Sequence, residues 1–249
     1  MPCYNPTRVV MDGDHRIAFN KDWKWSQYLD GETVVNLPCR KCIGCNMAKQ
    51  REWSVRCFHE ALLHTTNFKD PYSGVTTEIP NNCVLTLTYN DDHLPSQGLL
   101  RHGDFQAFMK RLRKHCADRN KPAPRYFMCG EYGGKTFRPH FHAIIFGWMP
   151  EDTYEERDYD GKITKMARDL DDLWSYTNPS TWEKTQMGRA SWDGFTFAGA
   201  GYVAGYVAKK QVEKHLGPVL ESTDENGVYR CEPIAPEYRR MSLKPGLGA

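Results

Sequence analysis

A chain of 249 residues with 40% hydrophobic and 26% charged residues has the make-up of a globular protein of one or two domains with a substantial core, which excludes a fibrous or wholly disordered polymer. Its formal net charge of +2 neither requires nor excludes a nucleic-acid partner, so the placement of charge along the chain says more than the sum. The longest apolar runs, such as AIIFGWM, fall far short of the roughly 18 residues of a membrane span, and MPCYNPTRVV lacks a signal-peptide core. The expectation is a cytoplasmic protein with no membrane partner.

Nine cysteines without a secretion signal favour metal ligands or free thiols over a disulfide framework. Three of them, Cys39, Cys42 and Cys45, form PCRKCIGC, a C-x2-C-x2-C spacing that lets thiolates converge on one soft metal. A structural Zn2+ needs a fourth ligand, and Cys3 is the candidate, because Cys57 falls further down the next helix. The iron–sulfur alternative continues to a nearby fourth Cys followed by Pro, which IGCNMAKQ does not. MAKQREWSVRCFHEALLH then repeats apolar residues at Trp53, Cys57 and Ala61, with Phe58 and Leu62 beside them, a helical period. Residues 1–75 therefore read as a cysteine-rich, zinc-clipped helical module, and the turn-rich FKDPYSGVTTEIPNN marks its boundary.

The next unit, 76–215, opens with the β-branched run CVLTLTY. Asp104 is expected to cap a helix whose apolar face is Phe105, Phe108, Leu112 and Cys116, with Lys110, Arg111, Arg113 and Lys114 elsewhere around it. That basic helix is a candidate DNA-phosphate surface; a merely solvated face is the competing reading. RYFMCGEY and HFHAIIFG read as strands joined by the turn YGGKTFRP. A polar insertion with the acidic EDTYEERDYDG follows, then a helix around Leu170 to Trp174, a strand in ASWDGFTF, and the helix AGAGYVAGYVAKK. The order βαββαβα without regular βαβ repeats implies an α+β fold, an antiparallel sheet with helices packed on it, of the ferredoxin-like type. Cys83, Cys116 and Cys129 sit singly in apolar patterns and read as core. Residues 216–249 form a C-terminal tail with no evident closing element, which leaves room for a truncated C-terminus.

Two constellations carry chemistry. In RPHFHAIIFG, strand alternation puts His140 and His142 on one face and Phe141 on the other. Glu131, at the end of the preceding strand, can be brought beside them by the hairpin. Two histidines and one carboxylate leave coordination positions open, as a Lewis-acid metal requires, whereas a structural zinc is closed by four protein ligands. The competing reading is a pair of core histidines bonded to backbone. In AGAGYVAGYVAKK, Tyr202 and Tyr206 stand one helical turn apart on one face, with Lys209 returning to that face and Lys210 beside it. Gly201 and Gly205 each cost the helix about 1 kcal/mol against Ala and allow close backbone approach in return.

HFH between apolar residues, an upstream glutamate, CVLTLTY and YVAGYVAKK resemble the motifs of the HUH endonucleases that initiate rolling-circle replication. MPCYNP, PCRKCIGC, REWSVRCFHEA, RPHFHAIIFG and GYVAGYVAKK together are similar to the replication initiators of gokushovirus-type microviruses, from Cys3 to about Lys210. The resemblance implies a metal-dependent, site-specific DNA nickase and strand-joining enzyme acting on single-stranded DNA at a replication origin, with host replication machinery as partner, in the host bacterial cytoplasm. It implies His140, His142 and Glu131 as ligands of Mg2+ or Mn2+, Tyr202 and Tyr206 as nucleophiles, and Lys209 or Lys210 as assisting cations. A non-enzymatic, zinc-containing single-stranded DNA-binding protein is the competing class, and a plasmid relaxase or transposase of the same fold would keep the chemistry and change the biology.

Overall fold

The computed structural model describes residues 3–11, 17–18, 33–157, 161–210, 219–223, 229–233 and 236–248, with the backbone alone for 17–18, 33, 206–210, 219–223 and 229–233. A three-stranded antiparallel sheet is built from β1 (Thr7–Met11), β2 (Ile17–Ala18) and β3 (Thr33–Leu37), and α1 (Ile43–Leu62) follows. The turn-rich stretch expected as a boundary folds as an exposed hairpin of β4 (Thr65–Lys69) and β5 (Thr76–Pro80). Then come β6 (Asn82–Thr88), α2 (His102–Ala117), β7 (Arg125–Tyr132), β8 (Pro139–Phe146), β9 (Thr153–Arg157) and β10 (Ile163–Ala167). The chain continues through α3 (Arg168–Leu173), β11 (Ser175–Thr177), β12 (Lys184–Gln186), β13 (Ala190–Gly194), α4 (Phe197–Lys210), β14 (Val219–Thr223), β15 (Tyr229–Pro233) and β16 (Tyr238–Met241).

Seven of these strands form one sheet in the order β16-β7-β8-β6-β13-β10-β9, with every neighbouring pair antiparallel. The order βαββαβα is present as β6-α2-β7-β8-α3-β13-α4, and the polar insertion adds the hairpin β9–β10. Strands β6 and β7, joined by α2, are split in the sheet by β8, an α+β arrangement.

Both faces of the sheet are covered, and strand alternation decides which residue enters which layer. On one face, Leu85, Leu87, Met128, Phe141, Ala143 and Ile145 pack against Phe105, Phe108 and Leu112 of α2 and Leu170 and Leu173 of α3. On the other, Phe127, Cys129, Ile144 and Phe146 pack against Cys57 and Ala61 of α1 and Ala200, Val203 and Ala204 of α4. The apolar face expected for α2 is the buried one; on α1, Cys57 and Ala61 are buried, whereas Phe58 and Leu62, expected beside them, are exposed, and Cys83, Cys116 and Cys129 are core residues. A fully buried Phe such as Phe105 stabilises by about 3–5 kcal/mol against truncation to Ala.

Two expectations need correction. Asp104 is not a cap: α2 begins at His102 after Arg101, and Asp104 sits in its first turn, where its carboxylate accepts a hydrogen bond from Tyr89 Oη at 2.9 Å. The acid thus serves tertiary contact as well as the helix dipole. The tail does have closing contacts. β16 extends the sheet on β7, Leu247 enters the α1/α4 layer, and Glu60, buried and ion-paired with Arg125 at 2.7 Å, accepts from the Gly248 amide at 3.0 Å.

Before β13 the chain passes so close to the end of β6 that a Cβ on Gly188 would stand 2.2 Å from Thr88 O and 2.7 Å from Asn90 N. Neither backbone atom can yield without breaking the flanking hydrogen bonds, Thr88 N to Arg189 O and Asn90 N to Met187 O. Gly188→Ala should therefore cost about 2–3 kcal/mol in denaturant unfolding, at the upper end of overpacking penalties. Gly194→Ala, with nothing within 4 Å, should stay within about 0.5 kcal/mol of the parent.

Candidate active site

Strands β7 and β8 pair with Glu131 opposite His140 and Cys129 opposite His142. Directly opposed residues of an antiparallel pair project to the same side, so Glu131, His140 and His142 share the face covered by α1 and α4. Phe141, between the histidines, points into the other layer and packs against Phe105 and Trp174. His140 Nε2 lies 2.6 Å and His142 Nε2 3.0 Å from the same oxygen, Glu131 Oε1.

The far nitrogens are tied down too. His140 Nδ1 is 3.1 Å from Arg138 O, which can only accept, so Nδ1 carries a hydrogen and Nε2 is the ring atom turned toward Glu131. His142 Nδ1 meets Thr86 Oγ1 at 3.0 Å, across the β6–β8 pair. Such partners orient imidazoles for metal binding. Glu131 Oε2 is buried and, among the described residues, has no hydrogen-bond partner. Burial alone would raise the Glu131 carboxyl, but hydrogen bonds and charge from the two histidines outweigh it and hold the group below the ordinary carboxylate range. One donor atom from each residue lies within 4.8 Å of the others, and the orphaned oxygen adds acceptor capacity. The set fits a divalent cation with positions left open.

Tyr202 reaches this group from α4. Its ring meets that of His142 edge to face at 5.7 Å while the residue stays 53% exposed, so the phenol borders the triad and solvent together. Burial, and then the Glu131 charge, raise its pKa above the ordinary phenol value. A cation beside Glu131 would act in the opposite sense. Tyr206, Lys209 and Lys210 continue α4 by one and two turns, and their side chains lie outside the described residues.

The glycines of α4 do allow close approach. Gln50 of α1 donates to Gly201 O at 2.7 Å, and a Cβ on Gly205 would stand 2.5 Å from the same amide nitrogen. Gly201 faces Ser54 and Gly205 faces Gln50, so α1 and α4 run antiparallel. The C-terminal half of α4 therefore runs toward the cysteine end of α1.

At that end Cys3, Cys39, Cys42 and Cys45 converge, with Cys39 Sγ to Cys45 Sγ at 3.9 Å and Cys42 Sγ to Cys3 Sγ at 3.8 Å. A tetrahedron with Zn–S of about 2.3 Å has edges of about 3.8 Å, so these spacings fit a four-thiolate ion. Backbone amides point at the sulfurs: Cys39 N at Cys3 Sγ, Cys42 N at Cys39 Sγ and Cys45 N at Cys42 Sγ. Arg40, at φ 60, makes the left-handed turn that the first C-x2-C loop needs. The amides of Cys45 and Tyr4 lower the Cys42 thiol to about 6, whereas burial raises Cys45 to about 12.

The basic residues of α2 do not join either cluster, because α2 covers the opposite face of the sheet. Arg111 donates to Leu173 O, Lys114 pairs with Asp118, Arg113 lies over Tyr126, and Lys110 is exposed. Thr86 and the Arg138 carbonyl were not legible as site groups. The β6 alternation puts Thr86 on the site face, but only the strand register aligns it with His142.

A family model described as Replication-associated protein ORF2/G2P matches residues 82–211, more than half the chain, from β6 through α4. The chain belongs to this replication-associated protein family. It is 34% identical to "Replication-associated protein VP4" of Bdellovibrio phage phiMH2K, over 84% of this chain and 58% of that protein. It is 31% identical to "Replication-associated protein ORF4" of Chlamydia phage 1, over 82% and 48%, and 28% identical to "Replication-associated protein ORF2" of Spiroplasma virus 4, over 99% and 69%. The chain thus spans about half to three-fifths of the first two relatives. No solved structure matches it. The matched segment contains the triad and the tyrosine helix, while the cysteine cluster of this replication-associated protein lies before it.

The thiolate geometry sets one expectation. Purified protein should carry about one tightly held zinc, and Cys42→Ser should lose it together with thermal stability. Recovery of a fully folded, metal-free protein would reject a structural ion at the cysteines.

Proposed function

We propose that the protein initiates rolling-circle replication of a single-stranded DNA phage as a metal-dependent nickase and strand-joining enzyme with an HUH-type core. The observation that carries this reading is the Tyr202 ring against His142, beside a buried carboxylate oxygen that has no hydrogen-bond partner among the described residues. A core-packing role for the histidines leaves that orphaned oxygen unexplained.

In this reading Glu131, His140 and His142 hold Mg2+ or Mn2+, chosen by cellular availability, since the histidines would favour Zn2+ on affinity. The bound ion supplies Lewis-acid polarisation of the scissile phosphate. Tyr202 or Tyr206 attacks the phosphorus, the bond to the 3′ oxygen breaks, and that oxygen leaves as a 3′-hydroxyl after taking a proton. A 5′-phosphotyrosine keeps the bond energy, so a later attack by a 3′-hydroxyl rejoins strands without ATP and frees the tyrosine. An unperturbed phenol has a pKa of about 10, so Lys209 or Lys210 would assist by favouring the phenolate. Residues 1–75 serve as a zinc-clipped module, 76–215 as the nickase core and 216–249 as a C-terminal tail that contributes the edge strand β16. Single-stranded origin DNA is the substrate, and the host replication machinery, in the bacterial cytoplasm, extends the new 3′ end.

Incubation with a single-stranded origin oligonucleotide and Mn2+, followed by denaturing electrophoresis, should reveal a covalent adduct. His140→Ala and His142→Ala should abolish it while leaving DNA binding largely intact; unimpaired nicking by both would return the histidines to packing. Tyr202→Phe and Tyr206→Phe should each retain some adduct yet fail at repeated circle release, and the double variant should form none. Adduct from the double variant would reject tyrosine chemistry at α4. Thr86→Val removes the hydrogen bond on His142 Nδ1 and should weaken Mn2+ binding about 10–100-fold by calorimetry. Unchanged affinity would show that His142 needs no such partner.

A further inference from the structure

The hairpin that delivers Glu131 and His140 has a second feature at its tip. Leu94, Gln97, Gly98, Tyr132, Thr136, Phe137, Arg138 and Pro139 surround a cavity of about 220 Å³. Tyr132 and Pro139 are paired across the hairpin, one residue beyond the Glu131–His140 pair. The cavity and the triad therefore occupy neighbouring rungs of one ladder, and strand alternation sets them on opposite faces with the hairpin tip between them. Two of the five described non-glycine residues with positive φ line this cavity, Gln97 at 61° and Phe137 at 52°. Left-handed backbone is unfavourable for both side chains, and such strain concentrates where a side chain must be aimed.

The lining has a particular chemistry. Phe137 is 60% exposed, a large aromatic surface that the core does not use. Tyr132 is buried, and its hydroxyl accepts from the Leu100 amide, so it forms fixed floor. Arg138 is anchored by Asp91 Oδ1 at 2.6 Å and Tyr89 O at 3.0 Å, which ties the hairpin tip to the end of β6. The Gln97 amide offers both donors and an acceptor. A partly enclosed cavity with an exposed ring, a glutamine and an anchored guanidinium suits an unstacked nucleobase, which takes stacking on its face and hydrogen bonds on its edge.

We propose that this cavity receives one nucleobase of the single strand a few nucleotides from the scissile phosphate, around the hairpin tip, and that Gln97 and Phe137 set the base preference there. The proposal rests on the nickase reading above and adds to it where sequence is read. A strand that rounds the hairpin tip has its scissile phosphate at Glu131 and His140 on one face and a base a few nucleotides away turned into the cavity on the other. Phosphate contacts carry no sequence information, so a separate base pocket is required for a site-specific cut.

The test compares binding of dA, dC, dG and dT homopolymers of about a dozen nucleotides, by fluorescence anisotropy without divalent metal. The parent protein should prefer one base by roughly 5-fold or more. Gln97→Gly and Phe137→Gly remove each side chain and relieve the backbone, so they should keep or raise Tm, flatten that preference, and leave the salt dependence of binding unchanged. Free mononucleotides should not displace the strand at comparable concentration; displacement would point to a small-molecule site and overturn the strand assignment. Equal binding of all four homopolymers, or full preference retained by both glycine variants, would overturn the pocket and leave the nickase reading standing. Absence of any single-stranded DNA binding would overturn both.

Discussion

The antiparallel pairing of β7 with β8 sets Glu131 opposite His140, and the pleat then carries His142 to the same face two residues on. Most of the site's geometry descends from that register. A slip of one residue would send both imidazoles into the α2 layer and turn Phe141 toward α4, burying polar groups among Phe105, Leu85 and Leu87. The layer of α2 and α3 behind Phe141 thus holds the histidines in place from the other side of the sheet. Because Phe141, Ala143 and Ile145 must be buried there, His140, His142, Ile144 and Phe146 must face α1 and α4.

Given that register, α4 has one way to dock. Val203 and Ala204 enter the layer over β7 and β8, which leaves Tyr202 at its edge against His142. Gly201 and Gly205 let the Gln50 side chain lie between the helices, and its amide grips the Gly201 carbonyl. Helix α1 is in turn tied at its start by the cysteine cluster and near its end by Glu60, which meets Arg125 of β7 and the Gly248 amide. The cysteines are distant in sequence from the tyrosines, yet the antiparallel helix pair turns their end of α1 toward the C-terminal half of α4. A metal clip there would steady the helix on which the tyrosine helix rests.

The segregation of the two faces also changes how charge is read. The run of Lys and Arg close in sequence to HFH lies on α2, on the sheet face opposite the triad, where Arg111 donates to the Leu173 carbonyl. No described helix is long and apolar enough to cross a membrane.

Local chemistry made much of this legible in the sequence. Alternation in HFHAIIFG, the helical period of REWSVRCFHEA and of the α2 face, and the C-x2-C-x2-C spacing depend on near neighbours, and each recurs in the structure, save that Phe58 and Leu62 of α1 stay exposed. The convergence of Glu131 on the histidines was readable because a short hairpin joins the two strands. Asp104 was misread because a capping pattern cannot reveal that Tyr89, fifteen residues earlier, claims the carboxylate. Thr86 beside His142, Gln50 beneath Gly201, the layer that α2 enters and the edge strand β16 all depend on contacts between residues dozens to more than a hundred positions apart. Periodicity assigns a residue to a face of its own element; which face meets which is decided only when the whole sheet is assembled and its two layers compete for the apolar surface.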